Sequence, residues 1–142
     1  MVSPAEPPLR ELLTMSVVSH GHGRLLSSLL HDLAALPALS GCKVVVTLNR
    51  GGDEISPSTT LDVVPIRNQK PRGFGANHNE AFRRCATPWF VVLNPDLRIT
   101  DDPFATLLDA ADRVPAVGLV APAIVNSAQR VEDSVRRNLT PA

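Results

Sequence analysis

The chain has 142 residues, which at roughly 150 per domain is one domain with room for a sizeable core. Lys+Arg 14 and Asp+Glu 14 leave no formal net charge, so a nucleic-acid-binding surface is not advertised. A hydrophobic content of 44% excludes wholesale disorder, and no apolar run approaches the roughly 20 residues that span a bilayer.

Residues 1–11 read as a proline-rich, flexible lead-in without the basic and apolar regions of a signal peptide, and a single α/β domain is expected over 12–142. Met15–Ser19 is a short β-prone run that ends at His20-Gly21-His22-Gly23. From Arg24 to Leu36, the leucines at 25, 26, 29, 30 and 33 have helical spacing, and Pro37 and Gly41 close the segment. Lys43–Leu48 is a β-branched run suited to a strand buried on both faces. A turn-rich stretch from Asn49 precedes Leu61–Ile66, a short strand placed at an edge because Pro65 lacks a donor. Gly73-Phe74-Gly75 leads into a helix of about ten residues with Ala76, Ala81, Phe82 and Cys85 on its apolar side. Pro88–Leu93 is the most hydrophobic strand candidate, Pro103 suits a helix start, and Val117–Ala121 is expected to be a further strand. The order β-α-β-β-α-β-α-β predicts a mostly parallel central sheet with helices on both faces. Cys42 and Cys85 cannot form a disulfide scaffold, so reduced thiols and a cytoplasmic setting are expected.

Open α/β sheets bind ligands outside the carboxyl ends of their strands, where Ser19–Gly23, Leu48–Asp53 and Asn94–Arg98 would meet. Asn94-Pro95-Asp96 follows the most apolar strand, and Pro95 stiffens the turn that presents Asp96. A single carboxylate can complete a Mg²⁺ or Mn²⁺ site whose other ligands are phosphates and water. The same tripeptide also reads as a turn whose side chains cap the next element. Gly73-Phe74-Gly75 allows close ligand approach at a helix start, yet it lacks the third glycine of a dinucleotide fingerprint, and no P-loop is present. Asn77 and Asn79 also read as helix-start caps. His20 and His22 lack a third ligand for a metal.

Taken together, Met15 through Gly23, the strand ending at Asn49, Asn68 through Asn79, and Trp89 through Asp96 resemble family 2 glycosyltransferases in order and spacing. The likeness covers about residues 14 to 140 and is greatest to the bacterial rhamnosyltransferase-like branch. Val117–Pro122, Gln129-Arg130-Val131 and Arg136-Arg137 resemble the segment that follows in that branch. The resemblance implies a GT-A, Rossmann-like fold that binds a nucleotide diphosphate sugar, with this chain matching its donor-binding half. It places Ser19, Gly21, His22, Leu48, Asn49, Gly73, Asn79, Asn94 and Asp96 around the nucleotide sugar, with Asp96 as the contact for a divalent Mg or Mn ion. The implied activity is an inverting hexosyl transfer, with rhamnose as the sugar the branch suggests, to a glycan or lipid-linked acceptor. The implied setting is cell-envelope polysaccharide synthesis at the inner face of the cytoplasmic membrane.

Departures stand beside the likeness. The second strand often ends in Asp-Asn in this family, where the aspartate reads the base; Leu48-Asn49 stands here. The late carboxylates Glu132 and Asp133 do not identify a catalytic base, and Asp101 and Asp102 suit the start of the following helix. Arg83-Arg84 and Arg136-Arg137 read either as contacts to a diphosphate or anionic lipid-linked acceptor, or as solvated charges. A catalytically incomplete nucleotide-sugar-binding module is the alternative to an enzyme domain.

Overall fold

The computed structural model describes residues 6–55, 57–126, 128 and 130–131. They fall into two compact units that divide between Asp101 and Asp102, each described by itself below.

The first unit opens with a single helical turn, α1 (Leu9–Leu12), inside the stretch expected to be a flexible lead-in. Pro8 stands at its N-cap in extended conformation, and Pro8 O accepts a bond from Glu11 N at 2.9 Å. Strand β1 (Leu13–Ser19) follows directly, then α2 (Gly23–Ala34), a 3₁₀ turn (Pro37–Leu39), β2 (Lys43–Leu48), β3 (Asp62–Arg67), α3 (Phe74–Phe82) and β4 (Trp89–Leu93). Helix α2 stops before Leu36 because the residue preceding a proline is pushed out of the helical region; Leu36 has φ −89° and ψ 109°.

The sheet order is β3-β2-β1-β4, and every neighbouring pair is parallel. The connection β1-α2-β2 steps one way along the sheet, while β3-α3-β4 steps back past β1. Right-handed crossovers therefore put α2 and α3 on opposite faces. This is the α/β architecture expected from the sequence, and Pro65 lies on the edge strand β3. Every residue of β1 is buried, as a strand covered on both faces and flanked on both sides must be. On the α3 face, Val45, Ile66 and Ala81 form a cluster against which Val64 and Phe90 pack. The alternate positions Met15, Val17, Val44 and Val46 are fully buried on the α2 side. Burial of each such side chain is worth about 1.5–3 kcal/mol.

The second unit contains α4 (Phe104–Asp112). Asp102 Oδ1 accepts the Phe104 N–H at 2.8 Å, the service at a helix start that the sequence suggests. The strand expected over Val117–Ala121 does not form. A β-branched run becomes a strand only where a neighbour completes its ladder. Here the segment is irregular, Leu119 is 85% exposed, and the bridge in this region pairs Val125 with Val131 instead.

The α3 face holds a buried imidazole with a pH consequence. His78 Nδ1 lies 2.8 Å from Ser16 Oγ, whereas His78 Nε2 is buried without a partner among the described residues, as is Thr47 Oγ1. Protonation would put a hydrogen on both ring nitrogens and leave the Nε2–H buried without an acceptor among the described residues, and burial lowers the His78 pKa below the ordinary imidazole value. The unfolded chain then takes up the proton first as pH falls through about 6.5, so this contribution to stability is complete above that pH and declines below it. In urea titrations at pH 7.5 and 5.0, the native chain is expected to lose more stability than His78→Gln. Equal losses would remove His78 as the cause.

Candidate functional site

The strand order reverses direction between β1 and β4, and ligands of open α/β sheets bind at such a switch point. The loop after β1 (Ser19 to His22) and the turn after β4 (Asn94 to Leu97) flank it. In that turn Leu97 N donates to Asn94 O at 3.3 Å, and Pro95 occupies the position where its fixed φ suits a β-turn. Asn94 and Asp96 are exposed. The exposed Asp96 carboxylate has no hydrogen bond or ion pair among the described residues.

The loop after β1 is built around Asp53, a residue that sequence reading places only within a converging segment. Asp53 is 7% exposed; its Oδ2 accepts a short hydrogen bond from Ser19 Oγ and another from Gly21 N at 3.1 Å. Ser19 Oγ in turn accepts from His22 N at 3.2 Å. Gly21 has φ +89°, a left-handed backbone that a side chain would strain, and a Cβ on Gly23 would lie 3.1 Å from Asp53 Oδ1. Two glycines thus let the loop close on one carboxylate. An open cleft of about 580 Å³ adjoins it, lined by Gly23, Arg24, Ser27 and Ser28 of α2 and by Gly52, Asp53 and Glu54.

A second cluster joins the ends of β1, β2 and β3 to the start of α3. Asn49 is fully buried. Its Oδ1 accepts from Asn68 Nδ2 at 2.7 Å and from Arg72 N at 2.8 Å, while its Nδ2 donates to Arg72 O at 2.8 Å and to His20 Nδ1 at 2.9 Å. Asn68 Nδ2 also donates to Asn77 Oδ1 at 2.8 Å, and Asn77 Nδ2 donates to Arg72 O at 3.1 Å. The main chain of Arg72 is gripped at both its N–H and its C=O. This fixes the entry to α3, where exposed Gly73 is the N-cap in extended conformation. Asn77 therefore serves the loop before α3 and not a helix cap, and Asn79 is exposed on that helix.

A third anchor follows the Asp96 turn. Asp32 of α2 accepts from Arg98 Nε at 2.7 Å, from Arg98 Nη2 at 3.1 Å and from Ile99 N at 3.1 Å. The Arg98 hydrogen bond, with the Ile99 N–H behind it, holds the Asp32 carboxyl below the ordinary carboxylate range.

The nine residues expected around a nucleotide sugar therefore stand in different states. Ser19, Leu48 and Asn49 are buried beneath the carboxyl edge, whereas Gly21, His22, Gly73, Asn79, Asn94 and Asp96 are exposed. Ser19 and Gly21 are joined through Asp53, and Asn49 is joined through Arg72 to the loop that ends at Gly73. No hydrogen bond links Asn94 or Asp96 to the others among the described residues. Glu132, Asp133, Gln129, Arg136 and Arg137 lie outside the described residues. Arg83 pairs with Glu80 at 2.6 Å, and Arg84 is exposed.

The sequence model of glycosyl transferase family 2 matches residues 53–140. The chain belongs to glycosyl transferase family 2. No match is found among the curated proteins or among the solved structures. Membership makes the chain part of the glycosyltransferases, which use a nucleotide sugar donor and an acceptor. Gly73, Asn79, Asn94 and Asp96 fall within the matched family segment; Ser19, Gly21, His22, Leu48 and Asn49 precede it. No helix among the described residues is long and apolar enough to cross a membrane.

The functional geometry that sequence reading misses consists of Asp53, the Asn68–Asn77–Arg72 cluster and Asp32. The sequence signals available for them are Gly51-Gly52-Asp53 shortly after the end of β2 and the asparagines directly after β2 and β3, Asn49 and Asn68.

Proposed function

We propose that this family 2 glycosyltransferase domain binds a nucleotide diphosphate sugar across the β1–β4 switch point, and that Asp96 would be the residue holding a divalent ion there. The observation that carries the reading is the open Asp96 carboxylate on a proline-stiffened turn at that point, inside the matched family segment. The donor set suits Mg²⁺ or Mn²⁺ held largely by substrate. The described residues contain no group of three or more His, Cys, Asp or Glu able to cage an ion alone, and one carboxylate with phosphate oxygens and water is a common Mg²⁺ arrangement. When bound, such an ion supplies Lewis-acid stabilisation of the charge that develops on the departing nucleotide diphosphate.

On this reading Asp53 and Ser19 shape the loop against which the nucleoside rests, and Asn49 holds the Gly73 approach to α3. His22, Leu48, Asn79 and Asn94 complete the surroundings of the donor. Transfer proceeds with inversion, for which a carboxylate must take the acceptor proton; none is assigned to that task. The resemblance of the Asn94-Pro95-Asp96 region to the rhamnosyltransferase-like branch supports a rhamnose-type donor and a glycan or lipid-linked acceptor, at the inner face of a bacterial cytoplasmic membrane.

Calorimetric titration with uridine and thymidine diphosphate sugars, with Mn²⁺ and with chelator, tests the reading. Binding that appears with Mn²⁺ and disappears on chelation is expected; metal-independent binding of equal strength would overturn the role given to the ion.

A further inference from the structure

Asp32 lies on the side of α2 along which the chain runs after the Asp96 turn, and three donors converge on its carboxylate, two from Arg98 and one from Ile99 N. Its side chain is 9% exposed, while that of Arg98 is 68% exposed. A surface guanidinium pairing in fork geometry with a buried acceptor fixes direction as well as distance. The additional main-chain bond pins the backbone itself at Ile99. Upstream, the turn bond from Leu97 N to Asn94 O fixes the other side of Asp96. Asp96 is therefore held between a turn closed on strand β4 and a segment clamped to α2, although its own side chain touches neither.

From this we infer that Asp32 is a positioning residue for the metal-contacting corner: through Arg98 and Ile99 it sets where the Asp96 carboxylate stands at the switch point. The inference rests on the reading of Asp96 given under Proposed function. The Asp32 carboxylate contacts no substrate and acts only through the chain it anchors. Partners that orient a metal ligand typically account for about 10–100-fold of metal affinity, which is the range expected here.

The test measures Mn²⁺-dependent binding of uridine diphosphate and thymidine diphosphate by calorimetry, and free Mn²⁺ by electron paramagnetic resonance. The proteins are the native chain, Asp32→Asn, Arg98→Gln, the double variant, Asp32→Glu and Asp96→Asn. Positioning predicts that Asp32→Asn and Arg98→Gln each weaken Mn²⁺-dependent binding about tenfold or more. It further predicts that the double variant is no weaker than the worse single, and that Asp32→Glu recovers part of the loss. Native affinity in Asp32→Asn or in Arg98→Gln, with only the unfolding midpoint lowered, overturns the inference. Should Asp32→Asn fail to fold, Arg98→Gln decides alone, because its side chain is solvent-facing. Native affinity in Asp96→Asn would instead overturn the metal reading, an outcome separate from the first.

Discussion

Asp96→Ala is expected to lose Mn²⁺-dependent binding of a nucleotide diphosphate sugar by about 100-fold or more, since it removes a direct ligand and not merely a neighbour of one. The fold should survive the substitution. Asp96 is exposed, its carboxylate makes no hydrogen bond or ion pair among the described residues, and the turn that carries it is closed by the main chain and by Pro95. Loss of binding with an unchanged unfolding midpoint is therefore the signature of a ligand. Sugar transfer, if assayed with a competent acceptor, should fall in parallel. An Asp96→Ala chain that binds the donor as tightly as the native one would show that this carboxylate has no part in the site.

Asn49→Ala should have the opposite signature, a large loss of stability. The substitution deletes both halves of one amide and strands the Arg72 N–H and one Asn68 donor bond. It also removes one of the two bonds to Arg72 O and the bond to His20 Nδ1. Leaving a buried polar group without a partner costs about 1–3 kcal/mol, so a loss on the order of 3 kcal/mol is expected in denaturant unfolding. Because Arg72 enters α3, hydrogen exchange at the first turn of that helix should accelerate as well. A cost under about 1 kcal/mol would mean that the remaining asparagines reclose around the gap.

These two residues show what sequence alone could and could not supply. The strands were legible because β-branched runs such as Lys43–Leu48 have no other stable use, and the Pro95 turn was legible because proline restricts both its own φ and its neighbour. The family resemblance likewise pointed to one carboxyl edge. Which polar residues at that edge face outward was not legible. Asn49 and Asn79 are the same residue type near motifs of similar weight, yet one is fully buried in a hub and the other is exposed. That difference is decided by long-range bonds from Asn68, Arg72 and His20, which no local pattern encodes. Asp32 was unreadable for the same reason, since its partner stands far along the chain at Arg98. The expected strand at Val117–Ala121 failed because pairing requires a neighbour as well as a suitable composition.

The sheet order carries a consequence for biosynthesis. Strand β1 is made first but pairs on one side with β4, so that Leu13 waits for Trp89. A nascent chain on the ribosome can assemble β1, β2 and β3 in succession, yet one flank of its most buried strand stays open until β4 emerges. Pairings between such distant segments are slow to form and leave apolar edges accessible in the interval. Chaperone demand during synthesis should therefore fall most sharply once Trp89–Leu93 has emerged from the ribosome.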